Sequence, residues 1–189
     1  MITALDKNTA LVLIDLQKGI VKMDVAHPIS GVLEKSVLLL EAFHKVSLPV
    51  VVVNVILGGA WLKSRKEANA AQSSAPAADF ADIVAEVHTQ PTDIFVTKHT
   101  WNAFYDTALH TELQKRHVTG IVLAGVSTSV GVEGTARSAS ELGYNVAFAT
   151  DAMTDRILEA HQHSIQNIFP RLGERGTSAE IIEKLKNRA

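Results

Sequence analysis

Five short runs of aliphatic, mostly β-branched residues recur along this 189-residue chain, and they constrain its fold more than any other feature. They lack the alternation of apolar and polar residues that marks a half-exposed strand, so we expect strands that are buried on both faces. The runs are "ALVLID" (10–15), "PVVVVNVI" (49–56), "IFVTK" (94–98), "GIVLAGV" (120–126) and "NVAFAT" (145–150). A sixth, weaker strand is expected near 172–175.

Segments with the apolar spacing of helices separate these runs. The predicted stripes are Leu33, Val37, Leu40 and Phe43; Leu109 and Leu113; Val132, Ala136 and Ala139; and Leu158, Ile165, Ile168 and Phe169. A last helix follows Thr177, which is spaced from Glu180 as in a capping box. Strands that alternate with helices predict right-handed βαβ units in one α/β domain, with helices on both faces of a parallel sheet.

Composition narrows the possible partners. With 18 Lys and Arg against 20 Asp and Glu, the net charge of −2 predicts neither a nucleic-acid nor a membrane partner. The N-terminal apolar run is too short and too acidic for a signal peptide, so a cytoplasmic location is expected. There is no cysteine, which excludes disulfides and thiolate metal sites.

Residues 57–92 interrupt the alternation of strands and helices. Their stretch "ANAAQSSAPAAD" (68–79) has low complexity and no large apolar residue. We expect a long loop excursion there, either a lid over the site or a merely mobile loop.

Three polar features lie at the carboxyl ends of strands of the predicted sheet. They are Asp15, Lys98 and the turn "GVSTSVG" (125–131). Ligands of open parallel sheets bind at the carboxyl ends of the strands, so these features are expected to share one pocket. The plainer alternatives are an ion pair at the rim of the sheet and hydroxyl N-caps from Ser127, Thr128 or Ser129. The turn matches no phosphate-loop pattern, so a flavodoxin-like nucleotide binder is a distant alternative.

The stretches "LVLIDLQ", "VTKHTWNAFYDT" and "LAGVSTSVGVEGTARSASELGYNVAFATDA" resemble the isochorismatase-like cysteine hydrolases, and the resemblance covers essentially the whole chain. It implies a three-layer α/β/α sandwich with a doubly wound, mainly parallel, Rossmann-like sheet. It also implies a homodimer or higher homo-oligomer. The family's catalytic Asp, Lys and Cys correspond to Asp15, Lys98 and Gly131, so the nucleophile is missing and a thioester route is not expected.

The resemblance also suggests which residues surround a substrate. The expected substrate-binding residues are Gln17, Trp101, Phe104, Val126, Ser127, Thr128 and Val130. A cis peptide is expected at Val126–Ser127. Trp61 and Arg65 are weaker candidates for the mouth of the site.

Neither a cofactor nor a metal is expected. Nicotinamidase-type relatives hold a metal through an Asp-x-His…His cluster after the second strand, and "NVILGGAWLKSRKEA" contains neither residue type. His161 and His163 are two apart on a helix and cannot face one ligand sphere, so both are expected at the surface.

Two functions remain open. One is hydrolysis of a small anionic molecule, as in isochorismatases, which resemble this chain in having glycine at position 131 and cleave a vinyl ether with an aspartic acid as general acid. Asp15 would take that role, although a nearby Lys98 favours the wrong, ionised form. The other is a catalytically retired protein that binds a small molecule or acts in assembly. Where isochorismatases have Tyr, Ala and His in the turn, this chain has Ser127, Thr128 and Ser129, which leaves the substrate open.

Overall fold

A computed structural model describes residues 1–56 and 76–186 as helices and strands around one parallel sheet. The strands are β1 (Thr9–Ile14), β2 (Val50–Val55), β3 (Ile94–Lys98), β4 (Gly120–Val126), β5 (Asn145–Thr154) and β6 (Gly173–Gly176). They lie in the order β3-β2-β1-β4-β5-β6, and every pairing is parallel. The predicted α/β fold is confirmed, and the strand order reverses between β1 and β4.

Helices cover the sheet. They are α1 (Lys18–Val21), α2 (Ile29–Lys45), α3 (Leu109–Lys115), α4 (Glu133–Glu141), α5 (Leu158–His163) and α6 (Ser178–Leu185). Two π-helical turns occupy Thr128–Val132 and Ser164–Ile168, and a 3₁₀ turn occupies Phe169–Arg171.

Strand β1 shows how the runs of aliphatic residues create two cores. Leu11 and Leu13 enter a first core cluster with residues of α2 and α6, whereas Val12 and Ile14 enter a second with residues of α3 and α4. Because successive side chains of a strand point to opposite faces, a strand between two helical layers has to be apolar throughout.

The helix predictions held with two corrections. In α2 the buried stripe is Val32, Ser36, Leu39, Leu40 and Phe43, while Leu33 and Val37 are only partly buried. The small Ser36 faces the core, which apolar spacing alone does not reveal. Leu158 is exposed at the start of α5. The chain passes from α5 into a π-helical turn at Ser164, so the regular spacing does not continue to Ile165 and Ile168. The capping box of Thr177 and Glu180 is confirmed at the start of α6.

The expected excursion at 57–92 is described only in part, since residues 57–75, with Trp61 and Arg65, lie outside the described residues. Residues 76–92 form turns and one isolated bridge between Gln17 and Ile83. Val84 and Val87 are buried in the first core cluster, so this part of the segment packs on the body of the domain. A lid stays a prediction. In residues 1–56 and 76–186 no helix is both long and apolar enough to cross a bilayer.

Candidate functional site

An ion pair between Asp15 and Lys98 lies at the carboxyl ends of β1 and β3. Asp15 directly follows β1 with a left-handed backbone (φ 53°), a conformation that Asp tolerates better than most residues. The Lys98 ammonium donates to Asp15 Oδ2 at 2.7 Å and to the Thr100 carbonyl oxygen at 3.2 Å. Both side chains are buried, so this is an interior pair rather than a pair on the solvated rim.

The carboxyl of Asp15 has an unusual protonation equilibrium. Burial raises its pKa from 3.8 to about 6, although the charge and the hydrogen bond of Lys98 lower it. Desolvation therefore outweighs the ammonium, which removes the objection that Lys98 would keep this carboxyl fully ionised. Oδ1 is buried and has no hydrogen-bond partner among the described residues.

Two glycines allow the turn after β4 to approach Asp15. Gly125 has φ +120°, and a Cβ there would lie 2.1 Å from the carbonyl oxygen of Ile14. A Cβ on Gly131 would lie 2.9 Å from Ile14 Cγ2 and 3.4 Å from Asp15 Oδ2. Position 131 therefore borders the carboxyl, and the structure brings Asp15, Lys98 and Gly131 together as expected from the sequence. The peptide between Val126 and Ser127 is cis, as predicted.

Three N–H groups of the turn, those of Ser129, Val130 and Val132, bond to other groups of the protein. The Ser127 carbonyl oxygen accepts from the N–H groups of Val130 (3.2 Å) and Val132 (3.1 Å). The N–H and the hydroxyl of Ser129 both donate to Asp155 Oδ2, at 2.7 and 2.8 Å. The Asp155 carboxylate therefore lies at the start of the turn, and the Ser129 hydroxyl donates to it instead of capping the turn.

Surface placement of His161 is also wrong. Its side chain is buried, and Nδ1 lies 2.8 Å from Thr128 Oγ1. His163, two residues further on, is exposed, whereas His161 lies on the face of α5 that contacts the turn after β4. Asp155 and His161 were both missed because they reach the turn through tertiary contacts that local spacing does not encode.

Known proteins resemble this chain over most of its length. Residues 9–180 match the model of the isochorismatase domain. The chain belongs to the isochorismatase family. It is 40% identical over 183 residues to the isochorismatase family protein YwoC of Bacillus subtilis, with 95% of each chain covered. It is 36% identical over 182 residues to YecD of Escherichia coli O157:H7, with 95% of this chain and 97% of the relative covered. An isochorismatase family protein of Burkholderia thailandensis has a structure similar to this one, with a TM-score of 0.84 and 34% identity over 97% of this chain and 98% of the other.

Gln17, which was expected to bind substrate in this isochorismatase family member, already has partners within the protein. The Gln17 amide is engaged by backbone: Nε2 donates to the carbonyl oxygens of Val55 and Phe80 (3.0 Å each), and Oε1 accepts from the Val55 N–H at 2.7 Å. Gln17 therefore links β2 to the segment that follows residue 75, which is a structural role.

The two aromatic residues predicted to line the pocket have separate environments. Phe104 packs into the second core cluster with its ring 5.8 Å from that of Tyr144, which precedes β5 at the amino edge of the sheet. The structure therefore does not bring Phe104 to Asp15. Trp101 is 55% exposed and follows Lys98 on the carboxyl side, so it remains free for contact.

The turn residues complete the expected set. Val126 is buried in the first core cluster and Thr128 is buried against His161, whereas Ser127 and Val130 are half-buried. Among the described residues no group of three His, Cys, Asp or Glu is arranged to hold a metal ion.

Proposed function

We propose that this protein hydrolyses a small anionic molecule without a covalent enzyme intermediate, with Asp15 as general acid and a vinyl ether as the bond that is cleaved. The observation that carries the proposal is the buried Asp15 carboxyl, whose pKa is about 6 and whose Oδ1 is unpartnered among the described residues. A carboxyl with such a pKa is largely protonated in mildly acidic solution and partly so near neutrality, as a general acid requires.

The two carboxyl oxygens of Asp15 have different roles in this mechanism. Oδ2 accepts from Lys98 and is thereby fixed, so the transferable proton belongs on Oδ1. Oδ1–H protonates the terminal vinyl carbon of the substrate, and the resulting oxocarbenium ion takes up water. The hemiketal that forms then collapses to a keto acid and an alcohol, and Asp15 recovers its proton from solvent. General acid catalysis of this kind contributes about 10²–10⁴-fold in rate.

We propose that Gly131 stands where the cysteine hydrolases of the family carry their nucleophile. An atom on its Cα would lie 3.4 Å from Asp15 Oδ2, which supports this correspondence. With no side chain there, and no cysteine in the chain, water has to supply the oxygen. The substrate carboxylate would take the remaining donor of Lys98, since its other two reach Asp15 and Thr100.

Hydrolysis of isochorismate in D₂O tests the proposal. We expect pyruvate with one deuterium in its methyl group, because the new C–H bond comes from the solvent-exchanged carboxyl. Asp15→Asn should lower the rate by about 10²-fold or more. Asp106→Asn is the matched control, since Asp106 is exposed and shares the left-handed backbone (φ 54°).

Each outcome has a definite meaning. Undeuterated pyruvate, or equal loss in the two variants, contradicts Asp15 as the acid. Saturable binding of isochorismate without pyruvate favours the alternative of a retired enzyme that serves as a binding protein. A homo-oligomeric state is proposed from the family resemblance, and gel filtration would test it. The cytoplasmic location expected from the sequence stays a proposal.

A further inference from the structure

The geometry points to His161 as a positioning residue that holds the Gly131 turn through Thr128 and performs this role in its neutral form. The inference goes beyond the proposed function, because it concerns what fixes the turn. It rests on that function only for its kinetic consequence.

One buried hydrogen bond joins the turn to α5. Thr128 Oγ1 lies 2.8 Å from His161 Nδ1, and both side chains are buried. Thr128 begins the π-helical turn that ends at Val132 and contains Gly131. A change at His161 therefore acts on the backbone that borders Asp15.

The imidazole of His27 packs next to that of His161. The ring of His27 lies 4.6 Å from that of His161. His27 is itself fixed by Thr154, whose Oγ1 accepts the His27 N–H at 3.2 Å and lies 3.0 Å from its Nδ1. The Thr154 hydroxyl thus holds both the backbone and the ring of His27 in place.

The surroundings of His161 disfavour a positive charge. Burial lowers its pKa below 6.5, and the adjacent His27 lowers it further, whereas Asp155 opposes both effects. On α4, Glu133 accepts from Ser164 Oγ on the π-helical turn after α5 and is paired with Arg137. Asp155 is likewise occupied, by the N–H and the hydroxyl of Ser129. A proton on His161 would therefore place a cation in a buried position beside a second imidazole, and the favourable charge of Asp155 does not outweigh that burial.

This arrangement gives the site two independent pH limits. Asp15 has to be protonated to act as an acid, which limits turnover as pH rises through about 6. His161 has to be neutral to hold the turn undisturbed, which limits turnover at lower pH. The loss of turnover at low pH is then caused by His161, a residue that does not contact the substrate.

An NMR titration of the Gly131 amide tests the coupling directly. It is recorded in the Asp15→Asn protein, so that the neighbouring carboxyl no longer titrates. We expect the Gly131 amide to shift with the same midpoint as the His161 ring, and the shift to disappear in His161→Asn. An Asn side chain can bond to Thr128 in place of Nδ1 but carries no titrating group. Thr128→Val, which removes the hydroxyl, should also remove the shift.

His163→Asn is the matched control, because His163 is exposed two residues away on the same helix. It should leave the Gly131 titration intact. A Gly131 titration that survives both His161→Asn and Thr128→Val overturns the inference, and so does one that disappears in His163→Asn.

The kinetic arm separates this inference from the proposed function. If isochorismate is hydrolysed, His161→Asn should retain turnover near neutral pH and lose the acidic limb of kcat/KM, whereas His163→Asn keeps it. An unchanged acidic limb in His161→Asn contradicts the inference. If isochorismate is not hydrolysed, the proposed function fails and the amide titration still decides the role of His161.

Discussion

At the residue scale, Lys98 limits how far burial raises the pKa of Asp15. Both the charge and the hydrogen bond of Lys98 act to lower that pKa, so Lys98→Met should move it above about 6. The titration of the Asp15 carboxyl carbon by ¹³C NMR measures the shift. Lys18→Met is the control, because Lys18 is a partly exposed lysine that pairs with Asp82 and Asp79 instead. A pKa that stays at about 6 or falls in Lys98→Met would mean that Lys98 does not act on the carboxyl.

Gly131 is expected to tolerate a methyl group poorly. The new Cβ would lie 2.9 Å from Ile14 Cγ2 in a buried position, so Gly131→Ala should lower the free energy of unfolding by about 1–3 kcal/mol. Gly31 offers the comparison, since a Cβ there meets nothing within 4 Å and the residue lies in α2. Gly31→Ala should raise the free energy of unfolding by about 0.4–1 kcal/mol. Urea denaturation measures both, and a similar effect in the two variants would contradict the close contact at position 131.

At the element scale, two aspartates of one segment hold two different helix starts. Asp151 accepts from the Ser178 N–H (2.6 Å) and hydroxyl (2.8 Å) at the start of α6. Asp155 binds Ser129 at the turn in the same manner. Each change to Ala leaves a backbone N–H without its acceptor and should lower the free energy of unfolding by about 1–3 kcal/mol.

These variants differ in their effect on the site. Asp155→Ala should also lower kcat for the proposed hydrolysis, because it frees the turn that borders Asp15, whereas Asp151→Ala should change stability alone. Urea denaturation and pyruvate release give the two readouts. Equal kcat in Asp155→Ala and the unmodified protein would show that the turn is held without Asp155.

Strands β1, β2, β4 and β5 could be predicted because each contains a largely apolar run, and buried parallel strands permit little else. The edge strand β3 is exposed at Phe95 and Thr97, so the expectation that it is buried on both faces is wrong. Asp15 and Lys98 could be predicted because strand ends in a parallel sheet share an edge. The role of Asp155 could not be predicted, because Asp155 directly follows β5 and its partner Ser129 is 26 positions away in the sequence. His161 was misplaced for a related reason: its partner Thr128 belongs to another strand connection.

At the scale of the whole molecule, the strand order could not be predicted from the spacing of apolar residues in the sequence. The order β3-β2-β1-β4-β5-β6 places β1 at the centre, so Ile14 lies beside Val53 on one side and Gly125 on the other. This centrality is what buries Asp15 and raises its pKa. A sequence identifies Asp15 as a residue that follows a strand, but the loss of solvent around its carboxyl comes from the neighbours on both sides.

Asp15 and His161 should give the stability of the protein opposing dependences on pH. Asp15 has its pKa raised from 3.8 to about 6 on folding, so the native state binds more protons in that interval and its contribution to stability is lost as pH rises through about 6. His161 has a folded pKa below 6.5, so its unfolded form binds more protons and stability is lost as pH falls below 6.5.

The two slopes partly cancel in the unmodified protein and can be separated by substitution. Relative to it, the urea midpoint of Asp15→Asn should rise more steeply with pH up to about 6.5, because the histidine contribution remains. Below about pH 6, the urea midpoint of His161→Asn should instead rise less steeply with pH, or fall, because Asp15 still contributes and His161 no longer does. Other carboxylates titrate alike in all three proteins, so the differences between the curves report these two groups. Parallel curves would mean that neither group changes its pKa on folding, and the raised pKa on which the acid role of Asp15 depends would then have to be abandoned.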